Sequence, residues 1–251
     1  MRYSPIVELR QYTLRPGQRD VLIDLFEANF VESQEDTGMK VIGTFRDLDD
    51  PTRFVWLRGF DTMDSRARSL GDFYDGPVWR RHRDRANETM VDSDNVLLLR
   101  PAGPTAGFVL PSTRPAASAT DDRDGGIVEV LVVALDAPAD ADTIDRLTTE
   151  IAASVVAAGG IPLARFVTEE SENTFPRLPV REDEHIYAFF AGYPRPEQHT
   201  AARQRRDEIE RAAARAAPLK NSPVVVRLLP TRRSLLTGAA PETSRAHAGA
   251  S

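Results

Sequence analysis

The chain has 251 residues, 41% of them hydrophobic, and a formal net charge of −6, which allows one large or two small packed domains and excludes a general attraction for nucleic acid. Its basic residues are arginines apart from Lys40 and Lys220, a bias that points to GC-rich coding more than to a phosphate-binding face. The absence of cysteine excludes disulfides, thiolate metal sites and cysteine nucleophiles.

No run approaches the ~20 apolar residues of a membrane span. The first strand starts within a few residues of Met1, leaving no room for a leader. A cytoplasmic protein that touches neither membrane nor nucleic acid is therefore expected.

Residues 7–14 alternate as a strand does, with Glu8, Arg10 and Tyr12 facing one way and Val7 and Leu9 the other. Pro16-Gly17 ends the strand. From Gln18 onward the spacing of Val21, Leu22, Leu25, Phe26 and Phe30 predicts an amphipathic helix, with Gly38 as its stop. Residues 39–46 and 53–60 flank the acidic turn Asp47-Leu48-Asp49-Asp50-Pro51 and predict a hairpin. Phe54, Trp56, Arg58 and Phe60 share one face of its second strand.

Met63, Ala67, Leu70 and Tyr74 mark a helix over 62–74, which Asp75-Gly76-Pro77 interrupts. On the helix that follows, Trp79, His82, Ala86 and Met90 share a face. Val96-Leu97-Leu98-Leu99 closes the half as a short buried strand stopped by Pro101. The order strand, helix, strand, strand, helix, strand is that of a ferredoxin-like unit.

Residues 102–126 are rich in Pro, Ala, Gly, Ser and Thr and read as a linker, pinned to the body by Phe108-Val109-Leu110. An offset of 121 then sets Val7 on Val128, Glu8 on Glu129, Leu14 on Leu135, Gly38 on Gly159 and Phe45 on Phe166. Farther along the offset is 133, with Gly59 on Gly192 and Phe60 on Tyr193. The difference places about twelve extra residues within 169–184, a surface loop or a lid over an opening.

Helices over 140–158 and 197–216 and a strand over 224–229 complete a second unit. Residues 231–251 are expected to be a disordered tail. Within them, Arg232-Arg233-Ser234-Leu235-Leu236 is a chance likeness to a twin-arginine signal. The expected organisation is thus a first domain over 1–101, a linker over 102–126, a divergent second domain over 127–230 and a tail.

A four-stranded sheet with both helices on one face leaves its other face to be covered. Two such sheets in one chain can cover each other. The expected fold is α+β: two tandem ferredoxin-like βαββαβ units whose antiparallel sheets face each other in an intramolecular α/β barrel. With both sheets in one chain, the usual reason to dimerise is gone, and a monomer or weak homo-oligomer is expected.

Four stretches, Glu8-Leu9-Arg10-Gln11-Tyr12-Thr13-Leu14-Arg15-Pro16-Gly17, Phe54-Val55-Trp56-Leu57-Arg58-Gly59-Phe60, Pro77-Val78-Trp79-Arg80 and Leu98-Leu99-Arg100-Pro101, resemble the NIPSNAP family over residues 6–101. That family belongs to the dimeric α/β-barrel superfamily. The resemblance implies the same ferredoxin-like unit and two-sheet barrel. On activity it implies little, because the superfamily spans cofactor-free monooxygenases, haem-dependent enzymes and proteins of undefined role.

If Glu8, Arg10 and Tyr12 face the barrel interior, one half lines it with charge and hydroxyl. The other half supplies Glu129, Leu131, Val133, Ala191, Phe189 and Tyr187, so the cavity is apolar with a few convergent polar groups, as an organic ligand requires. The candidate catalytic residues are Tyr12 as donor or proton relay, Arg58 as an oxyanion holder, Glu8 as base or arginine-orienting group, and His82. Arg10, Trp56, Phe54, Phe189 and Tyr187 are the candidate ligand contacts. Equally, Glu8, Arg10 and Arg58 can be a structural ion-pair cluster, because buried charge demands pairing, and His82 can be a packed histidine with one hydrogen bond.

There is no phosphate-binding loop, dinucleotide fingerprint, metal-ligand spacing or nucleophile elbow, so neither cofactor nor metal is expected. The functional expectation is a protein that binds a small organic molecule inside the barrel, as a cofactor-independent oxygenase, isomerase or cyclase. The alternative is a non-catalytic binding or scaffold protein with a filled barrel.

Overall fold

The computed structural model describes residues 4–116 and 126–239. The first unit runs β1 (Ile6–Leu14), α1 (Arg19–Asn29), α2 (Val31–Glu35), β2 (Lys40–Asp47), β3 (Arg53–Phe60), α3 (Met63–Tyr74), α4 (Pro77–Thr89), β4 (Met90–Asp92) and β5 (Val96–Pro101). The second runs β6 (Ile127–Leu135), α5 (Ala141–Ala157), β7 (Ile161–Thr168), β8 (His185–Tyr193), α6 (Pro196–Gln204), α7 (Arg206–Ala216) and β9 (Val224–Pro230).

Local chemistry sets the boundaries. Asp47 Oδ1 accepts from the backbone N–H groups of Asp49 and Asp50 to close the β2–β3 turn. Thr62 and Ser65 form a reciprocal capping box at the start of α3, and Asp140 caps α5 by accepting from the Thr143 amide. Gly38 and Gly159, paired by the repeat, both adopt positive φ, at 93° and 79°, which a side chain would resist. The predicted helix over 197–216 is two helices that meet at Arg205.

The strands hydrogen-bond in the order β3-β2-β9-β6-β8-β7-β5-β1, and β1 pairs back to β3, so the two antiparallel sheets close into one eight-stranded barrel. The seams are β5 against β7, with Leu99 opposite Thr168, and β2 against β9, with Arg46 opposite Leu229. The internal repeat is visible in the register. Glu8 lies opposite Arg58, Arg10 opposite Trp56 and Tyr12 opposite Phe54; at the equivalent places Glu129 lies opposite Ala191, Leu131 opposite Phe189 and Val133 opposite Tyr187.

The inside of the barrel is hydrocarbon. Val7, Leu9, Val55 and Leu57 of the first sheet meet Val128, Val130, Ala188 and Phe190 of the second. Two segments outside the strands complete the filling: Phe108 and Leu110 from the connection between units, and Leu235 and Leu236 from beyond β9. Phe108 lies 4.9 Å from both Phe166 and Phe190 between ring centroids.

Two expectations are corrected here. The interior is a packed core, and Glu8, Arg10 and Tyr12 do not face it; they sit on the opposite face, under the first unit's helices. Alternation separates the two faces of a strand but does not say which one a helix covers. Nor is the segment after Pro230 a disordered tail from its start. The Thr231 N–H donates to the Thr44 carbonyl and the Leu236 N–H to that of Ile42, the Thr231 hydroxyl donates to Glu27, and Arg233 is bound to Glu27 and Glu32. The rest of that expectation, from residue 240, and the linker residues 117–125 lie outside the described residues.

Phe108→Ala empties the middle of the barrel and is expected to lower unfolding free energy in urea by about 3–5 kcal/mol. The neighbouring Val109, 46% exposed, is expected to tolerate alanine within about 0.5 kcal/mol. Equal effects at the two positions would mean that the connection does not plug the barrel.

Candidate functional site

On the helix-covered face of the first sheet, one carboxylate serves three guanidinium groups. Arg10 Nη1 and Arg58 Nε each donate to Glu8 Oε2 at 2.7 Å, and Arg66 Nε, from α3, donates to Oε1 at 2.6 Å. Cross-strand pairing of β1 with β3 supplies Arg58, and the packing of α3 supplies Arg66. Glu8, Arg58 and Arg66 are 0% exposed and Arg10 is 1% exposed, so the charges are desolvated and must be satisfied internally. Three cations against one anion leave two positive charges in excess. Among the described residues no second carboxylate pairs with any of the three.

Neutral groups share the surplus. Arg58 Nη1 donates to Gln34 Oε1 at 3.3 Å, Arg66 Nη1 to Asn173 Oδ1 at 3.0 Å, and Arg10 Nε to the Tyr12 hydroxyl at 3.1 Å. The Trp56 ring is flanked by two guanidiniums, with Arg58 Cζ 5.0 Å and Arg10 Cζ 5.7 Å from its centroid, a favourable use of aromatic faces by desolvated cations.

Protonation follows from this arrangement. Burial, the largest single influence, would raise the Glu8 carboxyl, but Arg58, Arg10 and Arg66 together outweigh it and hold the group far below its usual 4.5. Glu8 is therefore held as a carboxylate, its two oxygens taken by the three arginines. Burial also pushes the Tyr12 hydroxyl up, against the opposing pull of Arg10. Tyr12 thus keeps its proton at neutral pH.

Above the cluster lies a cleft between the sheet and helices α1, α3 and α4. Tyr12 and Trp56 form its floor, Phe26, Phe30 and Phe73 its walls, and Tyr74, Trp79 and Met90 its half-buried rim. It is narrow: it holds a cavity of ≈ 20 Å³ that opens to solvent at its mouth. Trp56 Nε1 is buried and has no acceptor among the described residues, although a buried indole N–H ordinarily finds one.

The insertion at 169–184 folds over the first unit. Asn173 and Thr174 contact Arg66, Phe175 stacks on Tyr74 with ring centroids 6.1 Å apart, and Arg177 grips Asp75 through two bonds of 3.0 and 3.1 Å.

The predicted site residues divide accordingly. Glu8, Arg10, Tyr12, Trp56, Arg58 and Phe54 come together, on the outer side of the sheet. Phe189 and Tyr187 do not join them; they lie beneath α5 and α7 with the second unit's core, where the Tyr187 hydroxyl meets Thr148 at 2.9 Å and burial pushes its pKa up to about 12. His82 does not line the cleft and packs edge-on to Phe30 at 6.2 Å.

Sequence reasoning missed Arg66, Gln34, Asn173 and the aromatic rim. Arg66 had a signal: three residues after Met63 and four before Leu70, it is an arginine on the apolar face of α3. Among the described residues there is no group of three or more His, Asp or Glu side chains arranged to hold a metal, and no helix is long and apolar enough to cross a membrane.

Glu8→Gln leaves three guanidiniums without their carboxylate and is expected to cost about 3–5 kcal/mol of stability at neutral pH. Because the folded-state pKa is depressed, the contribution of Glu8 is complete above its usual 4.5 and is lost as pH falls below that value. The stability gap between wild type and Glu8→Gln is therefore expected to narrow on acidification through that range. A gap that stays constant would show that Glu8 is not held as a carboxylate by the arginines.

Comparison with known proteins fits this geometry. The NIPSNAP family model matches residues 7–104, the part that builds the cluster and the cleft. No curated protein matches the chain significantly. Among solved structures, a candidate monooxygenase from Lactobacillus acidophilus NCFM shares 16% identity over 92% of this chain and 98% of its own, with a TM-score of 0.50. Another, from Fusobacterium nucleatum, shares 9% identity over 95% and 98%, with a TM-score of 0.53. A NIPSNAP family protein from Agrobacterium tumefaciens str. C58 is 24% identical over 38% of this chain and 91% of its own, with a TM-score of 0.36. The two full-length likenesses show a shared fold, the tandem α/β barrel, and residues 7–104 within it match the NIPSNAP family model.

Proposed function

We propose that this protein binds a small organic molecule in the aromatic cleft on the helix side of its first sheet, and that Tyr12 acts on the bound molecule while Arg10 and Arg58 act through their charge beneath the floor. The observation that carries this reading is the unpartnered, buried indole N–H of Trp56 at the floor of an aromatic-lined cleft, directly beside a cluster with surplus positive charge. A structural ion-pair cluster alone needs neither an open cleft nor an orphaned donor. The chemistry these side chains supply is stabilisation of negative charge developing on a ligand oxygen, and delivery of a proton from Tyr12. Both are steps that a cofactor-independent oxygenase, isomerase or cyclase uses.

The scaffold alternative draws on a different observation, the filled barrel. A filled barrel has no room for a ligand inside it, and it bears on the barrel alone, not on the outer cleft.

Trp56 and Trp79 are the only tryptophans of the chain, and both line the cleft. A compound that raises the melting temperature by binding here is therefore expected to change tryptophan emission as well. Stabilising compounds that leave emission unchanged would place the site elsewhere. With a ligand that is turned over, Tyr12→Phe is expected to lower kcat by about 10²-fold or more, with little change in KM; an unchanged kcat would remove Tyr12 from the chemistry.

A further inference from the structure

Two polar groups at the floor of the cleft are donors. Trp56 offers an N–H with no acceptor, and the Tyr12 oxygen already accepts from Arg10 Nε, leaving its own proton to donate. Gln34, the remaining polar group near the floor, is committed on both sides: its Nε2 donates to the Phe30 carbonyl and its Oε1 accepts from Arg58. Among the described residues no acidic side chain lines the space, and the carboxylate beneath it, Glu8, is taken by three arginines. The floor is thus a set of hydrogen-bond donors above two uncompensated positive charges.

A neutral ligand leaves that surplus as it is, a cation adds to it, and an anionic oxygen satisfies both the donors and the charge. The walls restrict the rest of the molecule. Phe26, Phe30, Phe73 and Trp79 present ring faces and edges that suit a flat, apolar body. We infer that the ligand of this cleft is a flat aromatic anion, a carboxylate or an acidic phenol or enol bound as its oxyanion, with the anionic oxygen received by Trp56 Nε1–H and the Tyr12 hydroxyl. This deepens the functional reading above and rests on the cleft being the ligand site.

The equivalent place in the second unit cannot take such a ligand. Leu131, Val133 and Phe189 stand where Arg10, Tyr12 and Trp56 stand in the first, and α5 and α7 pack directly on them. The stoichiometry is therefore one anion per chain.

The test is calorimetric titration of the full chain with three probes of one shape: 2-naphthoate, neutral 2-naphthamide and cationic 2-naphthylmethylammonium. The expected result is one 2-naphthoate per chain, bound at least roughly tenfold more tightly than 2-naphthamide, with the cation weaker than either. Trp56→Phe is expected to remove most of the preference for the anion while leaving 2-naphthamide binding nearly unchanged. Tyr12→Phe, which keeps the ring and loses only the hydroxyl, is expected to shift the preference in the same direction and serves if Trp56→Phe does not fold.

Equal binding of anion and amide would overturn the inference about charge and leave the cleft as the ligand site. If none of the three binds and none perturbs tryptophan emission, the cleft itself is not the site and both readings fall. Two anions per chain would contradict the inertness of the second unit.

Discussion

The first unit is organised around one carboxylate that holds three buried guanidiniums. Desolvated charge is expensive, and a carboxylate serving Arg10, Arg58 and Arg66 is tolerable only because each arginine finds further partners. A glutamine on α2, an asparagine on the 169–184 insertion, a tyrosine on β1 and the faces of Trp56 and Phe60 each take a share. These groups come from both halves of the chain, so the cluster ties strand pairing, helix packing and the insertion into one arrangement. Its surplus of positive charge gives the adjoining cleft its chemical character.

Duplication and divergence account for the rest. Two copies of one unit close a barrel whose interior is needed for packing, and the chain fills it further with Phe108, Leu110, Leu235 and Leu236. A binding site then has room only on the outer faces, between sheet and helices. The first unit keeps charge and an aromatic cleft there. In the second, the same register positions carry Leu131, Val133, Phe189 and Ala191, which α5 and α7 cover, while the insertion between β7 and β8 reaches across to cover Arg66 and stack on Tyr74. One unit carries the proposed site and the other closes the barrel and roofs the cluster.

Much of this was legible in the sequence. The offsets of 121 and 133 that align the halves reappear as matching strand registers, with Glu8 opposite Arg58 where Glu129 lies opposite Ala191, because a two-residue side-chain period fixes neighbours once strands pair. Two kinds of fact were not. Which face of β1 looks into the barrel depends on where helices pack, and alternation in one strand is silent on that. Short apolar pairs in polar surroundings, such as Leu235-Leu236, carry no period, so their burial is set by a tertiary gap that the local sequence does not describe. The arginines that precede them, Arg232 and Arg233, are neither signal nor solvated surface; they anchor the segment to Glu27 and Glu32.

The most direct measurement of the central claim is a crystal structure of the protein grown with 2-naphthoate. The predicted result is a ring in the cleft among Phe26, Phe30 and Trp79, with a carboxylate oxygen within hydrogen-bonding distance of Trp56 Nε1 and the Tyr12 hydroxyl. Density inside the barrel, or a ring in the cleft with its carboxylate turned to solvent, would contradict the account.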